Sequence, residues 1–138
     1  MASKKPALTV GCVYVMVNDM TRAVKFYTRV LGLPLVVRYA DNWAEVDAGS
    51  TRIGLHPVDD GKAVTPGGGG TLSFFVKELD ALAVALRKKG ARVGDVRPTP
   101  RGKMTMMQDS EGNLLHLTEF SPEWIRRAKY PLPRARRG

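Results

Sequence analysis

The sequence carries the same order of secondary-structure signals twice, and this duplication limits the possible folds more than any other feature. In the first copy, residues 10–17 form a valine-rich apolar run that is typical of a buried strand. Asn18 and Asp19 then offer an N-cap, and Gly32 is placed to end the helix that follows. The helix is predicted from an apolar stripe at three- and four-residue spacing, made by Met20, Ala23, Val24, Tyr27, Val30 and Leu31.

The second copy begins with the same signals at a nearly constant offset. Residues 71–76 are a strand candidate, and an amphipathic helix follows. Glu78, which opens the second helix, lies 59 residues after Asp19. Gly90, which closes this helix, lies 58 residues after Gly32. A constant offset between separate signals indicates an internal repeat.

The later parts of the two copies correspond as well. Strand candidates flank a turn at residues 47–50 in the first copy and at residues 109–113 in the second. From Gly49 to Gly112 is 63 residues, which is close to the offset of the helices. Each copy is therefore predicted to be a βαβββ unit.

The predicted fold class is α+β, with two βαβββ repeats whose curled mixed sheets surround a shared cavity. The repeats cover approximately residues 8–57 and 70–120, and the glycine-rich segment between them is typical of a flexible linker. Residues 1–122 form one predicted domain, and residues 123–138 form a basic C-terminal tail. Along each strand we expect side chains of one parity to face the helix and those of the other parity to face the cavity.

Charge and composition restrict the classes of function. The net charge is +9, and subtracting the six basic residues at the end of the chain leaves +3 for the rest. No DNA- or RNA-binding motif accompanies these residues, so no nucleic-acid partner is predicted. No apolar run is long enough to span a membrane, and the N-terminus lacks a secretory signal, so we predict a cytoplasmic protein. The single cysteine, Cys12, excludes an intrachain disulfide. The six basic residues are Arg126, Arg127, Lys129, Arg134, Arg136 and Arg137.

Two segments carry a family resemblance. The first contains Val17-Asn18-Asp19, Phe26-Tyr27 and Leu31-Gly32-Leu33. The second is the run DSEGNLLHLTE, in which Ser110 replaces a proline and His116 replaces a glutamate of the family pattern. Over residues 8–120 the chain resembles the vicinal oxygen chelate superfamily of glyoxalases, bleomycin-resistance proteins and extradiol dioxygenases. The resemblance implies the fold above, but it leaves the reaction open, because this fold serves isomerases, lyases, dioxygenases and binding proteins.

The resemblance also implies where a metal ion would be held. Metal-dependent members have four cavity-facing ligands, two from each repeat, and the corresponding positions here are Cys12, Gly54, Thr71 and His116. Glycine has no ligand atom and threonine is a poor ligand for such cations, so no metal site and no cofactor are predicted. As an alternative, Cys12, His56 and His116 would hold zinc or another divalent cation, since His56 shares a strand face with Gly54.

Metal-free members that this chain resembles are mostly binding proteins. We therefore predict a small-molecule-binding protein with a degenerate metal site, which binds or sequesters an organic ligand, with aromatic compounds among the candidates, and forms a homodimer. Aromatic and soft side chains with a few polar groups suit such a pocket. The predicted ligand-binding residues are Cys12, Tyr14, Trp43, Glu45, His56, Thr71 and His116.

Two enzymatic alternatives stay open from the sequence. One is a metal-dependent lyase or isomerase of the glyoxalase type, or a dioxygenase, with substituted ligands. The other uses His116 as the catalytic residue, a general base that removes a proton next to a carbonyl. In that case Tyr14 or Thr71 would donate a hydrogen bond to the developing oxyanion.

Overall fold

Two four-stranded mixed sheets, one from each repeat, form the frame of the molecule. The structure is a computed structural model that describes residues 12–58, 66–68 and 71–128. Most of the predicted linker and residues 129–138 of the predicted tail lie outside these described residues. In each sheet the four strands of the repeat lie side by side in the order first, fourth, third, second. The predicted α+β class with two βαβββ repeats is confirmed, and the sheets do not close into a barrel.

Each repeat follows the predicted order of elements. The first repeat consists of β1 (Cys12–Val17), α1 (Met20–Lys25) with a π-helical turn (Phe26–Val30), β2 (Leu35–Tyr39), β3 (Trp43–Asp47) and β4 (Arg52–Pro57). The second repeat consists of β5 (Leu72–Phe75), α2 (Leu79–Lys88), β6 (Arg97–Thr99), β7 (Gly102–Gln108) and β8 (Leu114–Phe120), and α3 (Pro122–Ala128) follows it. The first strand of each sheet pairs in parallel with the last strand of its own repeat, and the other pairs are antiparallel.

The first helix departs from the predicted α-helical periodicity in its last turn. The backbone N–H of Leu31 donates to the carbonyl of Phe26, which makes the wider π turn. As a result the adjacent residues Phe26 and Tyr27 are both buried, although the predicted stripe contained only Tyr27. The N-cap is as predicted, because the Asp19 carboxylate accepts a hydrogen bond of 3.0 Å from the backbone N–H of Arg22.

The second helix begins differently. Glu78 occupies the N-cap position but makes no capping hydrogen bond with its side chain. Instead, the backbone N–H of Leu79 donates to Oε1 of Glu119, at a distance of 2.9 Å. A carboxylate from the end of β8 therefore takes the role that Asp19 has in the first helix.

The alternation along the strands places the core as expected. Side chains of one parity pack against the helices, and their partners on the opposite face are half-buried or exposed. We call this opposite side the helix-free face. The strand residues in the core include Val15, Val17, Ala44, Val46, Ile53, Leu55, Leu115 and Leu117.

A buried carboxylate, Asp109, joins the two repeats. Its Oδ2 atom accepts from the Tyr27 hydroxyl at 2.8 Å and from the Asn113 amide at 2.9 Å. The same amide donates to the carbonyl of Met16 in β1 at 2.9 Å. Burial, followed by the nearby Asp109 carboxylate, raises the pKa of Tyr27 above its ordinary value, so the phenol stays protonated and donates. The turn of the second repeat, residues 109–113, thus holds both α1 and β1.

A second carboxylate in the same turn, Glu111, binds the start of α1. Its Oε1 atom accepts from the backbone N–H groups of Asn18 and Asp19, at 2.8 and 2.9 Å. The Arg22 guanidinium donates to its Oε2 atom at 2.7 Å. Burial alone would raise the pKa of Glu111, but hydrogen bonds from Arg22, Asp19, Ser110 and Asn18 outweigh it and lower this pKa to about 2. Glu111 is therefore an ionised, buried clamp between the repeats.

The first part of the predicted tail, residues 123–128, belongs to the C-terminal helix α3. Trp124 stacks on Phe120 with ring centroids 6.5 Å apart, and the guanidinium carbons of Arg101 and Arg127 lie 5.6 and 6.0 Å from its ring centroid. Trp124 of the tail thus packs on the second repeat. No helix in the described part of the chain is long and apolar enough to cross a membrane.

Candidate ligand-binding site

Three aromatic side chains meet on the helix-free face of the first sheet. We call these residues, Tyr14, Trp43 and His56, the aromatic platform. The ring centroid of Tyr14 lies 5.9 Å from that of Trp43 and 5.5 Å from that of His56, and the centroids of Trp43 and His56 are 6.0 Å apart. The register explains this meeting, because Gly54 pairs with Tyr14 on one side and with Glu45 on the other. The platform therefore surrounds a position that has no side chain.

The ring of Trp43 lies directly over Gly54. A Cβ atom at Gly54 would come within 2.6 Å of Cζ2 of Trp43 and 3.0 Å of Cβ of Tyr14. Such distances are far below van der Waals contact, so no larger residue fits at Gly54 unless Trp43 moves. The glycine at position 54 is thus explained by close approach of an aromatic ring.

Hydrogen bonds fix the indole in this position. Nε1 of Trp43 donates to Oε2 of Glu45 at 2.8 Å, and Arg52 donates to Oε1 of the same carboxylate at 3.2 Å. The hydrogen bond from Trp43, followed by that from Arg52, lowers the pKa of Glu45 below its ordinary value. Glu45 therefore remains ionised and orients the ring, while Arg52 balances its charge.

His56 is also oriented by the backbone. Its Nδ1 atom lies 2.7 Å from the carbonyl oxygen of Pro57, and a carbonyl can only accept. Nδ1 therefore carries hydrogen and donates to this carbonyl, which fixes the orientation of the ring in the platform.

Of the other predicted site residues, Cys12 shares a strand face with Tyr14, and Thr71 and His116 belong to the second repeat. Cys12 is half-buried at the start of β1, and Thr71 is exposed just before β5. His116 lies on β8, half-buried and paired with Ser73 and Met106 on the neighbouring strands. Within the described residues, no hydrogen bond or ring contact links these three side chains to the platform. The platform therefore contains Tyr14, Trp43 and His56 of the predicted set, with Glu45 supporting it.

The four positions that correspond to metal ligands do not fit a cation. Gly54 is covered by an indole and offers no ligand atom, and the exposed Thr71 is a poor ligand. Across residues 12–58, 66–68 and 71–128, no three His, Cys, Asp or Glu side chains lie close enough together to hold a metal ion. The zinc alternative with Cys12, His56 and His116 therefore has no supporting cluster in this part of the chain.

A cavity of about 350 Å³ lies against the second sheet, open to solvent. The described residues that line it all belong to the second repeat, so it differs from the cavity shared between the repeats that the sequence predicted. None of the seven predicted ligand-binding residues is in its lining, although Met106 pairs directly with His116. The cavity is formed by a loop after α2 that runs along β7, and no local sequence signal predicts this course. Its lining consists of Arg92, Val93, Gly94, Met106, Met107, Gln108 and Leu114.

Two βαβββ repeats with an open helix-free face define a protein of the glyoxalase-type fold. Comparison with known families agrees, because the model of the Glyoxalase/Bleomycin resistance protein/Dioxygenase superfamily matches residues 9–117. The chain belongs to this superfamily, as the resemblance in the sequence predicted. The comparison with curated proteins returned no match.

Solved structures with this fold include an enzyme and a binding protein. Lactoylglutathione lyase from Agrobacterium tumefaciens is 20% identical, with a TM-score of 0.67, and the match covers 83% of this chain and 96% of that chain. TnmS3, an antibiotic binding protein from Streptomyces sp. CB03234, is 26% identical, with a TM-score of 0.72 and coverage of 85% and 100%. TioX from Micromonospora sp. ML1 is 22% identical, with a TM-score of 0.68 and coverage of 82% and 99%.

Proposed function

We propose that this protein binds a small planar organic molecule on the aromatic platform of the first sheet. The observation that carries the proposal is the indole of Trp43, held over Gly54 by Glu45 and flanked by Tyr14 and His56. An oriented aromatic surface binds flat ligands at low entropic cost, because its side chains are already ordered before binding.

Exposure of the platform supports this proposal. Tyr14 is 56% exposed although it lies on β1, whose last three residues are buried. With this exposure, and beside Trp43 and His56, the Tyr14 ring is open to a ligand that stacks on this face. The similarity to TnmS3, an antibiotic binding protein that shares 26% of its residues with this chain, adds support for a binding role.

The metal-dependent lyase or isomerase has no comparable support. A catalytic metal site needs about three protein ligands, and position 54 cannot supply one while Trp43 covers it. The dioxygenase alternative meets the same difficulty. His116 as a metal-free general base stays a prediction, because no hydrogen bond to its ring from the described residues assigns it an orientation.

Tryptophan fluorescence tests the proposal directly. The chain has two tryptophans, so the Trp124→Phe variant leaves Trp43 as the only indole. We expect planar aromatic compounds, screened as a panel, to quench or shift the Trp43 emission in a saturable way. In a separate calorimetric titration, Trp43→Ala should weaken binding of the best compound by about tenfold or more, as expected for loss of one stacking surface.

Tyr39→Ala is the matched control, because Tyr39 is 65% exposed on β2 and is outside the platform. Equal weakening by Trp43→Ala and Tyr39→Ala would contradict the proposal, and so would a panel without any saturable binder. Native mass spectrometry of the freshly isolated protein reports a retained ligand, a bound cation and the number of subunits together. One tightly held cation per chain would favour the metal-dependent enzyme, and a doubled mass would support the predicted homodimer.

A further inference from the structure

The cavity on the second sheet has a wall that is fixed by hydrogen bonds. The loop after α2 runs beside β7, where Val93 forms a bridge with Met107 and the Gly94 N–H donates to the Met106 carbonyl at 2.9 Å. Thr105 and Arg87 donate to the carbonyl of Gly94 at 2.7 and 2.8 Å. The backbone groups of this wall are therefore paired, and the wall is ordered before any ligand binds.

The floor of the cavity is apolar. Met106 is 39% exposed, which is high for a large apolar side chain in a central position of its strand. Leu114 lies beside it, because Gln108 pairs with Leu114 in the same register that pairs Met106 with His116. Met106 and Leu114 thus provide flexible apolar surface on the helix-free face, and Gln108 adds an amide at the edge.

The rim of the cavity carries the positive charge of Arg92. Arg92 lines the cavity and is exposed, and within the described residues no carboxylate forms an ion pair with it. Arg22 and Arg52 differ from it in this respect, because each contacts a glutamate. An unpaired guanidinium beside an apolar floor is suited to bidentate binding of a carboxylate or sulfonate.

We propose that this cavity is a second binding site, separate from the aromatic platform, that takes small organic anions with an apolar body. The anionic group contacts Arg92 and Gln108, and the apolar body lies on Met106 and Leu114. This site is formed by the second repeat alone, so it does not depend on the function proposed for the platform.

Two fluorescent probes of similar shape distinguish the contribution of charge to the binding affinity from that of apolar contact. Anilinonaphthalene sulfonate carries one negative charge, and N-phenylnaphthylamine is its uncharged counterpart. We expect saturable binding of the sulfonate by the full chain, and Arg92→Gln should weaken it roughly three- to tenfold. The same substitution should leave binding of the uncharged probe unchanged, because only the charged contact is lost.

Two further variants complete the test. Met106→Gln should weaken both probes, because it replaces part of the apolar floor. Arg29→Gln is the matched control, since it removes the same charge from an exposed position next to α1, and it should leave both affinities unchanged. Thermal melting of each variant shows that the fold is retained, and Arg92 is exposed, so its replacement should not disturb folding.

Comparison of Trp43→Ala with Arg92→Gln distinguishes the two proposed sites. Loss of sulfonate binding in Trp43→Ala but not in Arg92→Gln would place the probe on the platform and would overturn the second site. Equal weakening by Arg92→Gln and Arg29→Gln would reduce the effect to net charge, which also overturns it. Absence of saturable sulfonate binding to the unmodified chain would contradict it as well. Weakening by Arg92→Gln without an effect of Trp43→Ala supports the second site, whatever the platform binds.

Discussion

The turns at residues 47–50 and 109–113 occupy equivalent places in the two repeats but have different surroundings. In the first turn the contacts are local: the Gly49 N–H donates to Oδ1 of Asp47 at 2.8 Å, and both residues are exposed. In the second turn Asp109 and Glu111 are buried and bind groups of the other repeat. The backbone is nevertheless similar, with φ of +92° at Gly49 and +89° at Gly112. Duplication has thus preserved local conformation, while among the described residues only the second of these turns has side chains that hydrogen-bond to the other repeat.

The difference shows which kind of interaction determines the association of the halves. Apolar side chains from both repeats share one core, but apolar contact is not directional and tolerates sliding. The hydrogen bonds of Asp109 and Glu111 fix which groups meet, because buried polar groups that lose their partners are costly. Substitutions of polar side chains in the two turns should therefore lower the free energy of unfolding by unequal amounts. Substitutions that affect only the backbone conformation should have equal effects in both turns.

The largest effect is expected from Asp109→Ala. This change leaves the Tyr27 hydroxyl and the Asn113 amide without their acceptor in a buried site, together with the backbone N–H groups of Glu111 and Asn113. The free energy of unfolding should fall by about 3–5 kcal/mol. Asp47→Ala in the first turn should lower it by less than about 1 kcal/mol. Urea denaturation of both variants measures the comparison, and equal losses would show that the turns are energetically equivalent.

Glu111→Gln is expected to have the second-largest effect, and the effect should depend on pH. The folded pKa of Glu111 is about 2, below its ordinary value of 4.5, so the ionised form stabilises the fold above pH 4.5. This contribution is lost as the pH falls from about 5 toward 2. At pH 7 the variant should be less stable by about 2 kcal/mol. Denaturation at pH 7 and at pH 3 should show the difference between wild type and variant shrinking; a difference independent of pH would contradict the clamp.

Tyr27→Phe isolates one hydrogen bond of the second turn. The ring remains buried, and the Asp109 carboxylate keeps the Asn113 amide and the backbone donors. We expect the free energy of unfolding to fall by about 1 kcal/mol, the usual net value of a single hydrogen bond. Tyr39→Phe, on the exposed edge strand, is the control and should cause no measurable change. A loss as large as that of Asp109→Ala would mean that the phenol, rather than the carboxylate, organises the turn.

The smallest difference is expected between Gly112→Ala and Gly49→Ala. Both glycines have positive φ, and an added Cβ would meet no atom within 4 Å at either position. Each substitution should therefore cost about 1 kcal/mol from backbone strain alone. Thermal melting of the two variants should give equal shifts within error. A much larger shift for Gly112→Ala would indicate that the backbone conformation of Gly112 is also needed for the contacts that Asp109 and Glu111 make.

Local patterns predicted the frame of this protein well. The valine-rich β1, the Asp19 N-cap and the glycine-bearing turns each depend on neighbouring residues, and each was found as predicted. Contacts between distant residues were not predictable in this way. Glu111 reaches Asn18 across 93 positions, and nothing in its turn distinguishes it from an exposed glutamate.

The site shows the same limit. Strand parity correctly placed Tyr14 and Trp43 on one face, because alternation is a local property. The stacking of Trp43 over Gly54 depends on the register between β3 and β4 and on a rotamer fixed by Glu45. Arg92 was missed because its position beside the cavity depends on a loop that follows β7, and this course arises from the bridge between Val93 and Met107.

The contact between Trp43 and Gly54 makes these two positions interdependent. A carboxylate introduced at position 54 would collide with the indole, whereas loss of the indole alone would only open a space. A carboxylate is therefore accommodated at position 54 most easily after Trp43 has been replaced by a smaller residue. In the reverse order the indole must leave its place over position 54, and with it the hydrogen bond to Glu45.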